Sequence, residues 1–154
     1  RDVLGLADPG NASLSDREVF ESGFPSDPEA AVRSFGFEGD SAQWLGRITA
    51  REISHMLEAI EEGELASPAS SEEMIGILRR QFYSSRLPQQ LRGRASIAHK
   101  TGDWPPHAGN DAGILYYEGG PTVVAVFTNQ NQGDFFELEA ALGRIAVDLV
   151  DSWR

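Results

Sequence analysis

The chain has 154 residues, 40% of them hydrophobic, and a formal net charge of −11, which is enough material for one domain with a real core. No apolar run approaches the length of a membrane span and no basic stripe exists to wrap a phosphate backbone, which excludes a membrane span and a nucleic-acid partner. The absence of cysteine rules out disulfide frameworks, thiol nucleophiles and cysteine zinc sites.

Residues 1–47 are rich in Gly, Pro, Asp and Ser and predict irregular chain with short helices. Ser15-Asp16-Arg17-Glu18 fits a capping box, and Asp27 stands as an N-cap before Pro28. Residues 48–87 predict a helix pair. Thr49 and Glu52 form a capping box, and Ile53, Met56, Leu57 and Ile60 follow at helical spacing until Gly63. Ser67-Pro68 opens the second helix, with Met74, Ile77, Leu78 and Phe82 expected on its inner side. Between residues 94 and 128 the period changes. The segments 95–100, 112–117 and 122–128 are short, rich in Ile, Val, Tyr and Phe, and bounded by turn residues, which predicts three strands. The link Glu118-Gly119-Gly120-Pro121 is short enough for an antiparallel hairpin. Residues 133–153 predict a closing helix with Phe135, Leu138, Leu142, Ile145, Leu149 and Trp153 on one stripe. This order of elements predicts an α+β fold, an antiparallel sheet covered by helices.

Lys100 is the only lysine, and the other twelve basic residues are all arginine. It stands in the run Ala98-His99-Lys100-Thr101-Gly102, at the end of the first expected strand. Lysine supplies a compact charge and three donors, threonine a hydroxyl, and glycine room for close approach to the backbone. The next amide, that of Asp103, is placed to donate to a developing oxyanion. Taken alone, the tripeptide reads first as an ordinary strand end with a solvated lysine and a turn glycine, and it is the surrounding sequence that favours anion recognition. His55, His99 and His107 have no metal-ligand spacing, so no metal and no cofactor is expected. On a strand His99 faces away from Lys100, which favours packing. Glu58, Glu61, Glu62 and Glu64 read as a solvated helix end. Of the tryptophans, Trp44, Trp104 and Trp153 are scattered, and Trp104 borders either a cleft or a turn.

From Ile48-Thr49-Ala50-Arg51-Glu52 through His99-Lys100-Thr101-Gly102, Asn110-Asp111-Ala112-Gly113-Ile114-Leu115-Tyr116 and Val123-Val124-Ala125-Val126-Phe127-Thr128, the chain resembles the C-terminal half of the class A β-lactamase and penicillin-binding family of serine hydrolases. Three motifs act together in that family: Ser-x-x-Lys, Ser-Asp-Asn and Lys-Thr-Gly. The resemblance implies that Lys100 orients the Ser-Asp-Asn serine and attracts a substrate carboxylate. It implies that Thr101 hydrogen-bonds that carboxylate, Gly102 clears room for the substrate, and the Asp103 amide forms half of the oxyanion hole. Asp103 departs from the small residues common there, and its carboxylate is expected to oppose an anionic antibiotic.

A sole lysine at position 100 means that Ser-x-x-Lys does not occur in these residues, and neither Ser-Asp-Asn nor the Glu-x-x-Leu-Asn deacylation segment is present. Glu38 is the nearest stand-in for the last, and Ser15-Asp16-Arg17 is better read as a cap. The resemblance therefore implies the C-terminal portion of a longer hydrolase that acts on β-lactams or cell-wall peptides and is secreted or exported to the periplasm or cell envelope. By itself the chain is expected to be inactive. It is expected to leave a strand edge and an apolar helix face for the missing N-terminal half or a swapped protomer. A penicillin-binding D-Ala-D-Ala carboxypeptidase and a non-catalytic binding module of the same fold remain as alternatives.

Overall fold

The computed structural model describes residues 47–153. The expectations for 1–46, among them the caps at Ser15 and Asp27 and the positions Glu38 and Trp44, lie outside the described residues. Those described form helix α1 (Ala50–Glu61), helix α2 (Pro68–Arg79), strands β1 (Ser96–Trp104), β2 (Ala108–Tyr117) and β3 (Gly120–Val126), and helix α3 (Phe135–Ser152). The fold is α+β, with the three strands in the order β1-β2-β3 and both pairings antiparallel.

Local chemistry starts each helix. The Thr49 hydroxyl accepts from the Glu52 amide at 3.2 Å while Glu52 accepts from the Thr49 amide at 2.7 Å, which completes the capping box. Gly63 follows α1 at φ +73°. Ser67 caps α2 ahead of Pro68, and Asp134 caps α3 by accepting from the amides of Phe136 and Glu137.

The sheet carries a core on each face. Leu57 and Ile60 of α1 pack with Ala112 and Ile114, joined by Met74, Ile75 and Leu78 of α2. On the opposite face Leu115 and Val124 pack with Ala146 and Val150 of α3 and with Leu87 and Leu91 from the loop before β1. Strand β2 feeds both cores, because successive side chains point to opposite faces.

Two helical stripes differ from expectation. In α2 the inner side is Ser71, Met74, Ile75 and Leu78, whereas Ile77 and Phe82 are exposed. The helix ends at Arg79, so Phe82 lies past its last turn. In α3 the buried stripe is Glu139, Leu142, Gly143, Ala146 and Val150, while Ile145 and Trp153 are exposed. Small residues decide this rotation: a Cβ on Gly143 would stand 3.1 Å from the Arg86 carbonyl, so the helix turns its narrowest face to the loop. In α1, Met56 is likewise exposed rather than inside.

At Gly113 there is no room for a side chain between β2 and β1. A Cβ there would lie 2.5 Å from the Ala98 carbonyl and 2.6 Å from the His99 Cβ. Gly113→Ala is therefore expected to destabilise the fold by about 3 kcal/mol, lowering the thermal midpoint by roughly 10 °C in calorimetry.

Across the other face, the Tyr116 hydroxyl donates to Glu61 at 2.5 Å and the Arg79 guanidinium lies 4.4 Å from the Tyr116 ring centroid. Burial, reinforced by the Glu61 carboxylate, pushes the Tyr116 phenol up to about 12.

Candidate functional site

Strand β1 runs past the apolar segment seen in the sequence and pairs with β2 as far as Trp104 opposite Ala108. Its polar end is held by backbone register rather than by hydrophobic pattern. Alternation sorts the residues of interest by face. Ala98, Lys100, Gly102 and Trp104 share the face toward α1 and α2, where Lys100 stands opposite Ala112 of that core. Ile97, His99, Thr101 and Asp103 share the face toward α3.

Lys100 is exposed, and its Nζ donates to the Thr101 carbonyl. A Cβ at Gly102 would meet nothing within 4 Å, so the strand beside the lysine is an open floor. Trp104, also exposed, continues the same face. The structure thus brings Lys100 and Gly102 together and places the Thr101 and Asp103 side chains on the other side. Thr101 is only 5% exposed.

Asp103 does not present its carboxylate beside Lys100. Its Oδ2 lies 3.2 Å from Nη2 of Arg86, a residue from the α2–β1 loop that sequence reasoning did not single out. Arg86 is 3% exposed. Its Nη1 donates to the Asn110 carbonyl at 3.1 Å, and its guanidinium lies 5.7 Å from the Phe135 ring centroid. Arg86 Nε is 3.3 Å from Glu139 Oε1, close enough for an ion pair but not aligned as a hydrogen bond. Ser85 donates to the same Glu139 oxygen at 2.6 Å. One guanidinium therefore ties the ends of β1 and β2 to the first turns of α3.

A second tie lies behind Lys100. Asp111, fully buried, accepts from the Leu87 amide at 3.1 Å, and its Oδ1 lies 2.9 Å from His99 Nδ1. His99 is a buried packing residue, as its place on the strand implied. Asn110 is used structurally as well: its Oδ1 accepts from the Thr128 amide at 2.7 Å, and Thr128 Oγ1 donates to the Gly109 carbonyl at 2.9 Å. Asp111 lies just ahead of the expected strand 112–117 and inside the observed β2, and a carboxylate leading into an apolar strand is the signal that marks such a buried, satisfied group.

Among the described residues no group of three or more metal-ligating side chains is assembled, and His55 and His107 are exposed. Two open cavities of about 540 and 530 Å³ lie against α1, one bordered by Ser71, Arg79 and Tyr116 and the other by Ile114 and Val123. Neither includes any residue from Lys100 to Asp103. Among the described residues, Lys100, Gly102 and Trp104 form an exposed strip along one face of β1.

Solved structures share this fold. A β-lactamase from Sphaerobacter thermophilus is 27% identical with a TM-score of 0.60, over 66% of this chain and 38% of its own. A variant of PBP-A, solved as an acyl-enzyme complex with penicillin G, is 30% identical with a TM-score of 0.56, over 66% of this chain and 39% of its own. An ancestral class A β-lactamase, 21% identical, shares the fold with a TM-score of 0.65, over 88% of this chain and 58% of its own. The chain therefore spans between 38% and 58% of the length of these three structures. No curated protein sequence matches it. Residues 18–153 match the β-lactamase enzyme family, and the chain belongs to that family.

Proposed function

We propose that this chain supplies the substrate-binding edge of a serine β-lactamase-like hydrolase, one that opens β-lactam amide bonds through an acyl-enzyme. The observation that carries the reading is the exposed Lys100 beside the open floor of Gly102, at the end of a strand in a member of this family. Lys100 attracts the substrate carboxylate and orients a serine hydroxyl that these 154 residues do not contribute as a Ser-Asp-Asn motif. Gly102 admits the substrate to the backbone, and the Asp103 amide donates to the oxyanion. With Thr101 5% exposed, the carboxylate contact rests mainly on Lys100. No Ser-x-x-Lys occurs in the chain, so the attacking serine and its lysine come from elsewhere in the active protein, which acts outside the cytoplasm.

A second reading is a penicillin-binding carboxypeptidase that forms the acyl-enzyme but releases it slowly. It is supported by the absence of a Glu-x-x-Leu-Asn segment from the sequence and by the likeness to PBP-A, whose variant was solved as a penicillin acyl-enzyme.

Fluorescent penicillin labelling and nitrocefin turnover, measured on the full-length gene product, separate these readings. Turnover is expected for a lactamase, and a stable label without turnover for a carboxypeptidase. Neither result would leave a binding module. The 154 residues alone are expected to take no label, and an acyl adduct mapped to this chain would refute the division of labour.

A further inference from the structure

We propose that Arg86 is a positioning residue that neutralises Asp103 and so lets an acidic side chain stand at the oxyanion position. The inference rests on the hydrolase reading above and deepens it. Asp103 hangs its carboxylate from the same residue whose amide is assigned to the developing oxyanion. An unpaired negative charge there opposes both the oxyanion and an anionic substrate, since charges a few ångströms apart near a protein surface interact strongly. Asp103 is partly exposed, and its Oδ2 is met at 3.2 Å by the buried Arg86 Nη2.

Arg86 is itself held from three directions. Asn110 accepts from Nη1, the Phe135 ring lies under the guanidinium, and Glu139 flanks Nε. Glu139 in turn receives the Ser85 hydroxyl, which draws part of its acceptor capacity away from the arginine. The guanidinium is thus fixed on the α3 side of β1, where it meets the Asp103 carboxylate that the strand's alternation turns away from Lys100. Lysine at position 86 would be a poorer substitute, because only the planar fork reaches Asp103 and the Asn110 carbonyl together.

The test is the acylation rate of the full-length gene product with a fluorescent penicillin, measured for R86Q, R86K, D103N and R86Q/D103N alongside melting curves. R86Q is expected to slow acylation about tenfold, and R86K to recover part of that loss. D103N added to R86Q is expected to restore most of the rate, because the charge that needed a partner is gone. D103N alone is expected to raise the rate two- to fivefold, by roughly the electrostatic effect of one partly screened charge.

A purely structural arginine would not be rescued by D103N. Effects of R86Q and D103N that simply multiply would overturn the proposal, as would a wild-type rate for R86Q. Should R86Q fail to fold, D103N alone decides: a slower rate overturns the proposal and a faster one supports it. An unmodified protein that takes no penicillin at all overturns the hydrolase reading, and this inference with it. A labelled protein with independent mutational effects overturns the inference alone.

Discussion

Lys100→Ala is expected to lower the acylation rate of the full-length gene product by a β-lactam about a hundredfold or more, with little change in thermal midpoint. The stability half of this expectation follows from exposure: among the described residues Lys100 donates only to the neighbouring Thr101 carbonyl, and it packs into neither core. The activity half follows from chemistry. The residue faces an open strand floor, and its three donors serve a carboxylate and a hydroxyl at the same time. Lys100→Arg keeps the charge but replaces a compact ammonium with a rigid planar fork, and it is expected to recover less than a tenth of the wild-type rate. Stopped-time labelling with a fluorescent penicillin measures both, and a wild-type rate for Lys100→Ala would sink the assignment.

The second large effect is structural. Asp111→Ala is expected to destabilise the fold by about 4 kcal/mol, and Asp111→Asn by about half that. The carboxylate is fully buried and meets two donors, the Leu87 amide and the His99 ring, which alanine leaves unpaired in the interior. Asparagine keeps one acceptor oxygen and so satisfies one of them. Denaturant unfolding of the two variants would show the difference as a shifted midpoint at constant slope. Equal stability of wild type and Asp111→Ala would mean that the α2–β1 loop is held by its apolar contacts alone.

Much of the fold was legible. The caps at Thr49 and Ser67, the sequence of helices and strands, and the β2–β3 hairpin are all written in local residue choices, and the structure has them in that order. The strand lengths were less legible. Apolar patterning stops at Lys100, while β1 continues through Thr101, Gly102 and Asp103 on ladder hydrogen bonds that leave no hydrophobic trace. The helical stripes were misjudged for a related reason. Counting large side chains put Ile145 and Trp153 inside α3, but close approach to the loop selects Gly143 and Ala146.

For the candidate site, residue types and neighbours single out Lys100 and Gly102, and the structure places both on one exposed face of β1. Its support was not legible. Arg86 and Glu139 lie in different elements and are brought together only by tertiary structure, so no local spacing announces them. Composition shows the Asp103 charge but not the partner that meets it. The strand pleat turns that carboxylate toward Arg86.

The pleat also sets what length changes this domain tolerates. One residue added to β1 ahead of Lys100 would send the lysine toward α3 and the Asp103 carboxylate toward the opposite layer, exchanging their surroundings while keeping the ladder. An addition of two would restore the faces but break the alignment of Thr101 with Asp111 and of Gly102 with Asn110. Residues 105–107 lie outside the paired strands, so extra chain there leaves every β1–β2 ladder partner in place and disturbs only the turn's own bonds, among them those from Asn131 to the Pro106 and His107 carbonyls. Relatives of this protein should therefore differ in length at that turn and keep a constant count between Ser96 and Trp104.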